Sequence, residues 1–200
     1  MRWLLPWVLV LCGGCATSTP DDVDNICNIF REKGGWYEEA AGARKEWGSP
    51  ISVMMAIMHQ ESRFEARAKP PRRKILGFIP GLRPSDSYGY SQALGSTWKS
   101  YQRDAGRYGA DRDDFGDAID FIGWYNHQSW RRSGINRADA YHLYLAYHEG
   151  HGGYNRGSYR GKAWLVQVAK KVSQRAARYR SQLLSCEEEL KDDGWFFGWF

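Results

Sequence analysis

The most apolar stretch of the folded part of the chain is 49–64, SPISVMMAIMHQESRF. Ile51, Val53, Met54, Met55, Ala56, Ile57 and Met58 leave no polar face, so the pattern predicts a helix buried on all sides. Ser49 is expected to cap it, with Pro50 at the first helical position, where a missing N–H costs nothing. Glu61 follows Met58 by three residues and Ile57 by four, so a carboxyl group continues the apolar stripe. Its place near the expected helix end puts it in the negative field of the terminal carbonyls. Burial and that field both favour the protonated acid, which is what a general acid requires. The competing reading is a structural ion pair with Arg63 or Arg67. His59, two residues before Glu61 on the helix, points elsewhere and is not expected as its proton partner.

Other segments carry the same helical spacing. Residues 21–46 read as one or two helices broken at Gly34-Gly35, with Ile26, Ile29, Phe30, Trp36 and Tyr37 in the core. Further helices are predicted over 96–105, over 113–132 with Phe115, Ile119, Ile122 and Trp130 inward, and over 137–148. A glycine-rich turn should end the last of these. A final helix spans 162–190, with Leu165, Val168, Val172, Ala176, Tyr179 and Leu183 at spacings of three and four. Residues 69–84, KPPRRKILGFIPGLRP, cannot form a regular helix and read as a long loop, with a small β-hairpin expected within the 69–88 insert. The class is mainly α, with a single domain over 21–190 and an aromatic tail over 191–200.

Two hundred residues suffice for one domain with a real core. A formal charge of +5 suits an acidic partner, which could be nucleic acid, anionic lipid or anionic cell wall. The N-terminus narrows the choice. MRWLLPWVLVLCGGC has one basic residue and an apolar run too short to cross a bilayer, so 1–14 read as a secretory signal. Leu11-Cys12-Gly13-Gly14-Cys15 resembles a bacterial lipobox, which implies lipid on Cys15, a tether over 15–20, and, with Ala16 next, the outer membrane facing the periplasm. In that oxidising compartment Cys27 and Cys186 are expected to form a disulfide.

Three segments then stand together: Glu61-Ser62-Arg63-Phe64, Gly89-Tyr90-Ser91-Gln92 and Ala146-Tyr147-His148-Glu149-Gly150. In this order they resemble E-S-x-F, G-L-M-Q and A-Y-N-A-G of the family 1 lytic transglycosylases, whose domain is goose-type lysozyme-like. The resemblance covers roughly 51–179. Tyr90-Ser91 stand where the family has Leu-Met, and His148-Glu149 where it has Asn-Ala. It implies cleavage of the MurNAc–GlcNAc β-1,4 bond of peptidoglycan, with a 1,6-anhydromuramyl end as product. Glu61 would be acid and then base. Gln92, Tyr147, Ser91, Tyr90 and Ser62 would lie at the glycan, and neither cofactor nor nucleic acid would be involved.

Alternatives remain at this level. Asp86 could act as a second carboxylate and make the protein a hydrolytic muramidase, though a turn residue between Ser85 and Ser87 is the expected reading. The groove could also serve a wall-binding lipoprotein without turnover. His148-Glu149-Gly150-His151 lacks the H-E-x-x-H spacing and reads as a helix end and turn, with no metal expected. Arg72, Arg73, Lys74 and Arg83 of the insert could face anionic stem peptides.

Overall fold

The computed structural model describes residues 18–72, 74–75, 79–80 and 83–196. Among them are seven α-helices, one short 3₁₀ turn and one two-stranded hairpin. The helices are α1 (Ile26–Glu32), α2 (Trp36–Trp47), α3 (Ile51–Ser62), α4 (Gly95–Asp104), α5 (Phe115–Ser133), α6 (Ala140–Asn155) and α7 (Ala163–Phe196). The fold is mainly α, as the pattern predicts, and agrees with the lysozyme-like domain that the resemblance implies. No helix among the described residues is long and apolar enough to cross a membrane.

Helix α3 occupies the centre, contacted by α2, α5, α6 and α7. Its residues 51–59 are all buried, as an all-round apolar helix must be. The N-terminus differs from expectation. Pro50 holds the cap position without a side-chain bond, and the buried Ser49 hydroxyl instead accepts 2.9 Å from Asn126 Nδ2 on α5. Asn25, Asp114 and Asp139 do cap α1, α5 and α6 with their side chains. Helices α2 and α5 meet closely at Gly123, where an added Cβ would lie 2.7 Å from Trp47 Cδ1.

At 1.5 Å rise per residue, the 34 residues of α7 span about 50 Å. This helix clasps the N-terminal segment. Cys27 and Cys186 form the expected disulfide. Around it, Gln182 Oε1 accepts 3.1 Å from Ile26 N, the Tyr179 hydroxyl donates to the Val23 carbonyl, and Arg44 pairs with Glu187 at 2.7 Å. Helix α7 continues through Phe196, into the stretch expected to be a tail.

The hairpin pairs β1 (Lys74–Ile75) antiparallel with β2 (Ile79–Pro80), inside the proline-rich insert. Two further expectations are corrected. Trp130 is not core: it is 44% exposed, with the Arg137 guanidinium 3.9 Å over its ring. The glycine-rich segment does not end α6; Gly150, at φ 70° and ψ 156°, kinks it, and helix resumes to Asn155.

Candidate active site

Helix α3 stops because Arg63 and Phe64 turn left-handed, at φ 53° and 64°. The Ser62 hydroxyl fixes that turn, donating to the Met58 carbonyl at 3.3 Å and accepting from Phe64 N at 3.1 Å. Ser62 is thus occupied locally, as short hydroxyl side chains at helix ends often are. Phe64, fully buried, anchors the turn against His59 and Trp36. The result is a fixed position for Glu61 in the last turn of α3.

Glu61 keeps only part of its surface open to solvent. Burial pushes its carboxyl up to about 7, while the hydrogen bond with the Tyr144 hydroxyl works in the opposite sense. No guanidinium or ammonium among the described residues lies within ion-pair distance of it. Arg67 is turned to Asp113, 3.5 Å away. The ion-pair reading of Glu61 therefore fails, and an acid held near neutrality remains. Buried His59 is pushed down to about 4 by desolvation and by the charge of Arg175, so it is neutral and apart from this chemistry.

Helix α6 supplies the hydroxyl groups. Tyr144 and Tyr147 are three residues apart, hence on one face. Tyr144 meets the Glu61 carboxyl. Tyr147 donates to the Ser91 carbonyl at 2.6 Å, and burial and the nearby Glu61 charge hold its hydroxyl protonated. Its ring meets Tyr125 edge-on at 5.0 Å, and the Tyr125 hydroxyl donates to the Ala146 carbonyl. Tyr144 lies just outside the motif that begins at Ala146. The signal was a tyrosine one turn earlier on the same face.

The 85–94 segment is a knot rather than a display. Gln92, at φ 49°, donates through Nε2 to the carbonyls of Ala68 and Gly89, both at 2.9 Å, and accepts from Ser87 Oγ. Gly89 has φ 78°, and a Cβ there would fall 1.9 Å from the Arg112 carbonyl oxygen. Tyr90 is 2% exposed, its ring edge-on to Trp36 and Phe115, and Ser91 is fully buried. The side chains of Tyr90 and Ser91 therefore stand in the interior and not on a surface a sugar could touch. Asp86 accepts from Gly95 N at 3.1 Å, at the start of α4, so its carboxylate serves a helix end.

His148 and Glu149 hold the return to α7. Burial works to raise the Glu149 carboxyl, but hydrogen bonds from Lys162, Ser158 and His148 outweigh it and bring it down to about 2. Lys162 Nζ lies 2.7 Å from Glu149 Oε1. His151 stacks on Tyr125 at 4.6 Å, with Nε2 3.0 Å from Ser129 Oγ. No cluster among the described residues has the histidine, cysteine and carboxylate groups to hold a metal ion.

A lysozyme-like helical domain with one unpaired acid at the end of its central helix is thus the class of molecule that fold and site define. A family model described as the transglycosylase SLT domain matches residues 3–186. The chain belongs to this family, whose members are lytic-transglycosylase-type proteins acting on peptidoglycan. No curated protein matches it.

Proposed function

We propose that the protein is a lytic transglycosylase that cleaves the MurNAc–GlcNAc β-1,4 bond and leaves a 1,6-anhydromuramyl end. The observation that carries this reading is Glu61, an acid held near 7 with no cation among the described residues paired to it. Protonated Glu61 gives its proton to the glycosidic oxygen as the bond to the muramyl anomeric carbon breaks. The substrate's acetamido group supports the oxocarbenium-like centre. The Glu61 carboxylate then takes the proton of the MurNAc 6-hydroxyl, whose oxygen closes on the anomeric carbon. Glu61 ends protonated, and no water is consumed.

One strong carboxylate suffices for this route, whereas hydrolysis by the two-carboxylate mechanism needs a partner. Asp86 is engaged by the first N–H of α4, which favours the transglycosylase over the muramidase reading. In the proposal Tyr144 orients the Glu61 carboxyl, and Tyr147 with Gln92 fixes the loop that walls the site. Cys15 carries the lipid, after removal of 1–14, and places the domain in the periplasm on the outer membrane; both segments lie outside the described residues. Digestion of sacculi followed by mass spectrometry tests the reaction. Anhydromuropeptides from the native protein support it, reducing ends indicate the muramidase, and no release from native protein indicates a wall-binding protein.

A further inference from the structure

A groove of about 760 Å³ lies at the other end of α3 from Glu61, between the start of that helix and α7. Ile51, Val53 and Leu183 give it an apolar floor. One wall is a single face of α7, on which Ala177, Arg180, Ser181 and Leu184 follow at spacings of three and four. Leu184 is 75% exposed, a large apolar side chain standing in water beside an apolar groove. The charges on this face are ordered about it. Four residues before Leu184 comes Arg180, which has no ion-pair partner among the described residues. Four residues after it comes Glu188, with Glu187 beside it. Glu187 is held by Arg44 at 2.7 Å. Glu188, its side chain 89% exposed, meets only Lys191 across one helical turn, and such a solvated pair is worth little. A face with a leucine at its centre, a cation on one side and a carboxylate at the same distance on the other is complementary to a reversed copy of itself.

We infer that this face of α7 pairs with the same face of a second copy of the chain, in an antiparallel two-fold dimer centred on Leu184. Arg180 of each copy then meets Glu188 of the other. The two Leu184 side chains leave water together and cover the groove, while the small Ala177 and Ser181 let the helices approach closely. A parallel pair would set Arg180 on Arg180 and Glu188 on Glu188, so charge selects the antiparallel arrangement. Glu61 lies eight residues beyond Val53, about 12 Å along α3, so the pairing is independent of the proposed reaction.

Sedimentation velocity of the full chain, in a mild detergent that masks any lipid-driven association, tests this. The native chain should sediment as a dimer at micromolar concentration, and Leu184→Glu as a monomer with an unchanged thermal melt. Arg180→Glu should raise the dissociation constant about tenfold or more, because it sets two carboxylates against each other at two symmetric contacts. Arg180→Glu combined with Glu188→Arg should restore the native value, which a merely structural role for either residue would not produce. Leu184→Cys should give a covalent dimer on mild oxidation, whereas Tyr108→Cys, at an equally exposed position, should not. A native chain that stays monomeric, a dimer indifferent to Arg180→Glu, or equal crosslinking at the two cysteines overturns the inference.

Discussion

Glu61 owes its chemistry to where two residues put it. Arg63 and Phe64 stop the helix one turn past Met58, and the carboxyl is left against protein on most sides. Its carboxyl is raised from the ordinary carboxylate range to about 7, so the ionised form is disfavoured in the folded protein. In that window the unfolded chain has already released its proton, so stability falls as pH rises from about 4.5 to about 7 and then levels. Glu61→Gln removes the penalty while keeping an acceptor for Tyr144. It should stabilise the protein by about 1–3 kcal/mol at pH 8 and by far less at pH 4, in paired denaturant titrations. In the proposed mechanism Glu61 acts as a protonated acid, so turnover should fall as pH rises through about 7. Since the Tyr144 hydrogen bond favours the carboxylate, Tyr144→Phe should shift that alkaline limb to higher pH. An unmoved limb would show that Tyr144 does not act on Glu61.

Among the elements, the 85–94 segment is the most exacting. Its geometry comes from Gly89, from Gln92 in a left-handed conformation, and from the Ser91 carbonyl that accepts from the Tyr147 hydroxyl. Gly89→Ala forces a Cβ onto the Arg112 carbonyl and should abolish ordered folding of this segment, seen as loss of protection of the Gly89 and Tyr90 amides in hydrogen exchange. Tyr147→Phe leaves the Ser91 carbonyl unmet and should cost about 1–3 kcal/mol in chemical denaturation. Periodicity revealed the helices because most have one apolar face and α3 is apolar all round, and it failed where charge or glycine decides. Trp130 was assigned inward by spacing, yet Arg137 covers its ring at the surface. Gly150 was read as a stop, yet a glycine can kink a helix that continues beyond it. The motifs pointed to Glu61, which the structure places in the last turn of α3 with its carboxyl raised to about 7. They gave no hint that Tyr90 and Ser91 face inward and that Gln92 is tied to loop carbonyls, because a short motif carries no information on which way its side chains turn.

Over the whole molecule, α3 is the axis and α7 is the clasp that closes the domain around it. The Cys27–Cys186 bond joins residues 159 apart, and such a long closed loop restricts the unfolded chain strongly. Replacing both cysteines with alanine should cost about 2–5 kcal/mol. Because the bond lies on α1 and α7, turnover per folded molecule should persist, which thermal melts and activity at low temperature check together. The pairing was readable from cysteine count and the expected oxidising compartment. The contacts of Arg44, Gln182 and Tyr179 around it were not, since they depend on which face α7 turns to the N-terminal segment. The most direct test of the central claim is mass spectrometry of muropeptides released from sacculi by the native protein and by Glu61→Gln at one pH below 7. The account predicts 1,6-anhydromuramyl ends from the native protein and none from the variant. Anhydro ends from Glu61→Gln at a native rate, or reducing ends alone from the native protein, would contradict it.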